Sequence, residues 1–346
     1  MATEIPPNSS KPAHHLMAVV ALVASLFSLV ISVYSVVTVK NMLDSLATNS
    51  VQGQDSNRPR RKPSPTPIPS PGGGGAGLPF GPYHLPTTVY GTSPYTGAFL
   101  DLSKMSVSTA TNALETAKAK KVKLVISLTG GGGNYRDSNS NFSYSLFKSL
   151  VDNFKSLDLT NYFNDGVVLG NMFMDEPQDP SNWGGETIAL SDIKQAAAYL
   201  KSIWPSVPTG VGSNPAFLSG GGWTSGDLDF VSVPFTQVKL NCRPGRVGCY
   251  GSDVNQWVSG VMADAKSDNL GVVLSINVLN GGTPNGTSIT AADLQTYGTL
   301  FASQPQACAL TFWKWDDAYF SQSDIQAALS AIAATASTHT AKTCTP

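Results

Sequence analysis

The chain has 346 residues, a formal net charge of −1 and only 13% charged residues. Its length accommodates one large domain or two ordinary ones, and its charge lacks the basic footprint of a nucleic-acid-binding surface. The low charge and abundant Gly, Ser, Thr and Asn are common in exported proteins.

Taken in chain order, the first predicted element is apolar. Between His15 and Lys40 lie 24 uncharged, mostly apolar residues, Leu16–Val39. A helix of that length spans roughly 36 Å, enough to cross a bilayer with some tilt. A cleavable signal peptide has an apolar core of only about 7–15 residues, so a retained signal anchor is the expectation. Lys40, Arg58, Arg60, Arg61 and Lys62 follow the helix, which taken literally places the C-terminal side in the cytoplasm. That basic cluster is distant, however, and the cysteines and low charge of the remainder favour an extracellular or periplasmic domain. The anchor also offers a docking element for integral-membrane partner proteins.

Residues 40–79 carry Arg-Pro-Arg-Arg-Lys-Pro-Ser-Pro-Thr-Pro and Gly72–Gly75. Such Pro-rich and Gly-rich stretches make extended spacers and flexible joints. From Phe80 to the end, apolar runs alternate with amphipathic segments. Eight strands are expected: 88–90, 98–102, 123–128, 167–174, 209–213, 229–234, 272–278 and 309–315. Helices are expected at 106–120, 144–154, 189–203, 253–266, 291–302 and 322–334, with loop-like connections at 91–97 and 214–228. This βα alternation predicts an α/β fold, a (β/α)8 barrel over 80–346, with a doubly wound sheet as the alternative. No Gly-x-Gly-x-x-Gly turn opens a helix after the first strand, and Gly130–Gly133 lacks the Gly-Lys-Ser/Thr ending of a phosphate loop. Neither a cofactor nor a metal is expected.

The stretch Val167–Pro177 organises this domain. A nearly all-apolar run predicts a strand covered on both faces. Pro177 then ends the ladder, leaving Asp175 and Glu176 at the C-terminal tip, the edge on which barrel sites are built. The plainer alternative is a strand stop followed by a helix cap.

Four cysteines lie late: Cys242, Cys249, Cys308 and Cys344. None forms a CxxC pair, and with His14, His15, His84 and His339 the only histidines, zinc and triad chemistry lack partners. Two disulfides are the expectation, Cys242–Cys249 and Cys308–Cys344.

Lys123-Leu-Val-Ile-Ser-Leu-Thr-Gly-Gly131, then Tyr162-Phe-Asn-Asp-Gly-Val-Val, then a carboxylate-tipped strand resemble family 18 chitinases and related barrel glycosidases. Trp313 and Trp315 on the last strand are similar to the tryptophan that floors a sugar subsite there. The Asp-Glu-Pro ending resembles the Asn-Glu-Pro of another glycosidase clan. The resemblance implies a glycoside hydrolase acting on a polysaccharide or glycoconjugate. Glu176 is the candidate acid, because a strand-end Glu near apolar Met and Phe is expected to have its carboxyl pushed up by desolvation. Asp175, alternating to the other face of the strand, orients a neighbour or faces the barrel interior. Trp313, Trp315, Asn277, Asn214, Tyr90 and Asp316 are candidate carbohydrate contacts, with Arg136, Gln178 and Gln237 weaker. The second carboxylate is left open among Asp316, Asp317 and Asp137. Met174, Met172 and Leu169 stand where the chitinase pattern has aspartates. The alternative is therefore a catalytically inactive carbohydrate-binding barrel or an accessory subunit of a membrane complex.

Overall fold

A computed structural model describes residues 77–345 except 225, 244–246 and 280–281. The expected anchor at 16–39 and the linker as far as residue 76 lie outside the described residues. Among the described residues, no helix is long and apolar enough to cross a membrane.

The elements alternate as the sequence predicts. Strand β1 (Phe80–Pro82) leads through a 3-10 turn to β2 (Gly97–Asp101), then α1 (Val107–Ala119) and β3 (Lys123–Ser127). Helices α2 (Tyr144–Asp152) and α3 (Leu159–Asn164) precede β4 (Val168–Asp175), followed by α4 (Leu190–Ile203) and β5 (Thr209–Gly212). The one-turn α5 (Pro215–Leu218), β6 (Phe230–Phe235), α6 (Val254–Ser267) and β7 (Gly271–Asn277) come next. Helix α7 (Ala291–Ala302), β8 (Ala307–Trp313), α8 (Asp317–Phe320) and α9 (Ser323–Thr338) complete the described chain. Local chemistry fixes several helix starts: Ser106, Ser143, Asp253 and Thr290 each accept a backbone N–H of the first turn through their side chains, satisfying donors a helix start leaves unpaired.

All eight strands are parallel, in the order β1-β8-β7-β6-β5-β4-β3-β2. The ends of that order meet. Tyr83 and Phe99 form a parallel bridge, the His84 amide donates to the Phe99 carbonyl at 2.9 Å and the Thr96 amide to the Phe80 carbonyl at 3.1 Å. The sheet therefore closes into a (β/α)8 barrel. One strand differs from expectation. Thr87–Val89 is a 3-10 turn, and the first strand is Phe80–Pro82. β-branched residues after Pro86 read locally as a strand, whereas Phe-Gly-Pro carries no such signal and gains its strand geometry from pairing with β8.

The core has two layers. One lies between the sheet and its helices, with Leu114, Phe147, Phe173, Met174, Trp257 and Phe301 fully buried. The other fills the barrel interior with Tyr83, Phe99, Val125, Met172, Phe230 and Val273. Both expected disulfides are present, Cys242–Cys249 and Cys308–Cys344. The second ties the C-terminal tail to the start of β8, at the N-terminal end of the barrel.

A register shift in β4 between Met172 and Met174 positions the site. Strict alternation from the lumen-facing Met172 would turn Met174 inward and Asp175 outward. The irregularity inserts one residue, so that Phe173 and Met174 both pack outward and Asp175 faces the lumen. Bulges re-aim side chains in this way.

Candidate active site

Three carboxylates meet at the C-terminal mouth of the barrel. Asp101 ends β2, Asp175 ends β4 and Glu176 follows, and all three line one open cleft of 420 Å³. Lys104, Arg136, Asn182 and the backbone of Gly131–Gly133 complete its walls. Asp101 and Asp175 also line a smaller cavity of 70 Å³ directly beneath, walled by Tyr83, His84, Phe99, Met172 and Trp313.

Burial, and then the neighbouring Glu176 charge, push the Asp175 carboxyl up to about 7. Desolvation favours its neutral form, and a like charge adds to the effect. Burial thus favours the protonated form of Asp175. Gly212 on β5 is required for this placement: a Cβ there would overlap Asp175 Oδ1. Burial first, and then the Asp175 charge, raise the Tyr83 phenol, against the hydroxyls of Ser232, Ser275 and Thr311.

Glu176 is held from the loop that follows it. Its backbone lies in the left-handed region at φ 47°, a conformation costing a non-glycine residue about 1 kcal/mol or more. Its amide donates to the Gly212 carbonyl at 2.7 Å. The Trp183 indole N–H donates to its carbonyl at 2.8 Å, and Asn182 Nδ2 donates to Oε2 at 3.1 Å. Strain over-determined by its surroundings is characteristic of functional sites. Lys239, in the turn after β6, is close enough to feel the Glu176 charge. Burial pulls its amine down to about 8, and Glu176 opposes that shift.

The β3 loop is tied down rather than loose. The Gly130 amide donates to Ser127 Oγ at 2.9 Å, and Asn134 Nδ2 donates to the Thr129 carbonyl at 2.9 Å. Thr129 Oγ1 donates to the Phe173 carbonyl at 2.6 Å, joining this loop to β4.

The remaining candidates separate. Trp313, at the end of β8, is 43% exposed and stands edge-on to Tyr83 with ring centroids 5.2 Å apart. It lines both the small cavity and a broad depression of 660 Å³ that includes Lys314 and Asp316. Trp315 does not share its face. β8 ends at Trp313, so alternation does not extend to Trp315, which stacks on Phe320 at 5.1 Å and donates through its indole N–H to Asp317 at 2.9 Å.

Asp316 Oδ1 accepts the Tyr319 amide at 2.8 Å as the cap of α8, and Asp137 Oδ1 accepts the Asn139 and Asn141 amides at 2.8 and 2.9 Å. Asp101 Oδ1 likewise accepts a local amide, that of Ser103 at 2.8 Å, but of these aspartates it is the one that lines the cleft with Asp175 and Glu176. Asn214 accepts from the Tyr250 hydroxyl at 2.6 Å and the Ala216 amide at 3.0 Å. Asn277 accepts the Leu279 amide at 3.2 Å. Tyr90 is 2% exposed within the outer core. These three are committed to turns and packing.

Asp101 ends a short strand, Gly97-Ala-Phe-Leu-Asp, without a marking motif. Comparing strand ends across the barrel would have found it, because it occupies the tip of β2 as Asp175 occupies the tip of β4. Trp183, Asn182 and Lys239 carry no such periodic signal.

No protein-family model matches the sequence, and no curated protein does. Solved structures similar in fold include a GH18 chitinase from Pseudoalteromonas aurantia, at 14% identity and TM-score 0.46, covering 73% of this chain and 99% of that one. Another is xylanase 10B from Thermotoga maritima, at 11% identity and TM-score 0.49, covering 75% and 95%. A third is a β-mannanase from the blue mussel Mytilus edulis, at 11% identity and TM-score 0.45, covering 72% and 83%.

Proposed function

We propose that the barrel hydrolyses a polysaccharide or glycoconjugate at the cleft formed by Asp101, Asp175 and Glu176. The observation that carries this reading is the joint placement of the three carboxylates, with the Asp175 carboxyl pushed up to about 7. Glycoside hydrolysis needs a group that holds a proton near neutral pH and a second carboxylate that remains charged. Asp175 and Glu176 stand side by side at the tip of β4, and the Glu176 charge adds to the burial that keeps the proton on Asp175. That proton passes to the glycosidic oxygen as the bond from that oxygen to the anomeric carbon breaks. Asp101, across the mouth on β2, meets the positive charge developing on the sugar. Water then adds its hydroxyl to the anomeric carbon, and its remaining proton returns to a carboxylate. Trp313 offers an exposed ring face for sugar stacking.

The Leu16–Val39 segment supports tethering to a membrane by one helix. The two disulfides support an extracellular or periplasmic position for the barrel. Integral-membrane partners would dock through that helix.

The test is release of reducing ends from a panel of glycans by the full chain in detergent, with Glu176→Gln beside it. The expected result is release by the parent and a loss of about 10²–10⁴-fold in the variant, the usual contribution of a positioned proton-transfer group. Binding without release by the parent would favour the inactive carbohydrate-binding barrel.

A further inference from the structure

Arg136 is the most unusual cation of the cleft. Its guanidinium carbon lies 5.0 Å from the centre of the Trp183 ring, and Trp183 is itself buried and stacked on Tyr135 at 5.7 Å. Gly132 permits this arrangement, because a Cβ there would lie 2.7 Å from Trp183 and 3.2 Å from Arg136 Nη2. The guanidinium is therefore fixed in place by stacking. Yet among the described residues no hydrogen bond or ion pair engages it, and its enclosed Nε has no partner. The four ion pairs of the described residues use Lys118, Lys148, Lys155 and Lys201. Lys104, exposed on the opposite wall of the same cleft, is likewise in none of them.

An ordered arginine with unused donors is a recognition element for a planar anion, since its fork matches a carboxylate through two parallel hydrogen bonds. A cleft made for neutral sugars alone would gain little from holding a guanidinium rigid and unpaired beside its carboxylates. The net field of the cleft does not oppose an anion. With Asp175 protonated, the charges of Asp101 and Glu176 are balanced by those of Lys104 and Arg136.

We propose that Arg136, assisted by Lys104, binds the carboxylate of a uronic acid residue, so that the glycan taken by this site is acidic. This rests on the hydrolase reading above only for the fate of the glycan, since recognition by Arg136 is a binding property.

Binding is measured by titration calorimetry on the full chain carrying Glu176→Gln, so that the polymer persists. The probes are polygalacturonate, alginate and hyaluronan, each beside its methyl-esterified form, with dextran and dextran sulfate as controls. At least one polyuronate should bind, and esterification should weaken it at least tenfold. Arg136→Gln should reproduce that loss, and the exposed substitution Lys104→Gln should give a smaller one. Should Arg136→Gln fail to fold, the ester comparison on the unsubstituted arginine and Lys104→Gln still decide. Absence of polyuronate binding, equal affinity for the esters, or dextran sulfate binding as tightly as the best polyuronate would each overturn the proposal. If ester-sensitive binding holds but the parent chain releases no reducing ends from the bound polymer, the hydrolase reading alone fails. If the parent cleaves neutral glycans and ignores charge, the acidic substrate class alone fails.

Discussion

Asp175→Asn should make the protein more stable at pH 8 while removing glycan hydrolysis. In the folded chain this carboxyl is pushed up to about 7 by burial and by Glu176. The fold therefore keeps a proton that the unfolded chain has already released. Stability falls as the pH rises from the ordinary carboxylate range to about 7, and the full cost is present above that. Asparagine removes the titration at nearly constant shape. With allowance for the partial exposure of the group, the gain is about 1–3 kcal/mol at pH 8 and smaller near pH 5. Denaturant melts at the two pH values measure it. Hydrolysis should fall by about 10²–10⁴-fold, because the variant cannot deliver a proton. This opposition of stability and activity is what a desolvated functional group produces.

Lys201→Met should do the reverse, costing stability and sparing the site. Lys201 on α4 pairs with Asp229 at 2.5 Å, with 11% and 4% of the two side chains exposed. Asp229 Oδ2 also accepts the Thr209 amide at 2.8 Å, at the start of β5. This pair therefore joins helix, strand and loop at the N-terminal end of the barrel, opposite the carboxylate mouth. Removing one partner leaves a buried charge uncompensated, which costs about 3–5 kcal/mol. Adding Asp229→Asn to Lys201→Met should return part of that loss, since the orphaned charge is then gone. Below its melting transition, kcat/KM on any cleaved glycan should stay within about twofold, for the site is far from the pair.

Much of the barrel was legible in the sequence because its strands are buried on both faces. Runs such as Leu124–Ile126 and Val272–Ile276 announce themselves without any tertiary information. The strand tip at Asp175 and Glu176 was equally plain, since apolar run, carboxylates and proline stand in one short stretch. What was not legible depends on contacts between loops. Trp183, Asn182 and Arg136 come from the β3 and β4 loops, and only folding brings Arg136 over the Trp183 ring and the donors of Asn182 and Trp183 onto Glu176. The shift in β4 that turns Asp175 inward leaves no mark in a nearly all-apolar strand. Trp315 was misplaced for a related reason. Its spacing from Trp313 implies a shared face only while the strand continues, and β8 stops at Trp313.

The proton held by Asp175 is tested most directly by the pH dependence of hydrolysis by the full chain. The rate should fall as the pH rises through about 7, when Asp175 loses its proton, and the remaining activity of Asp175→Asn should no longer show that limb. A rate independent of pH across that region, or a limb unchanged in Asp175→Asn, would contradict the assignment of catalysis to the tip of β4.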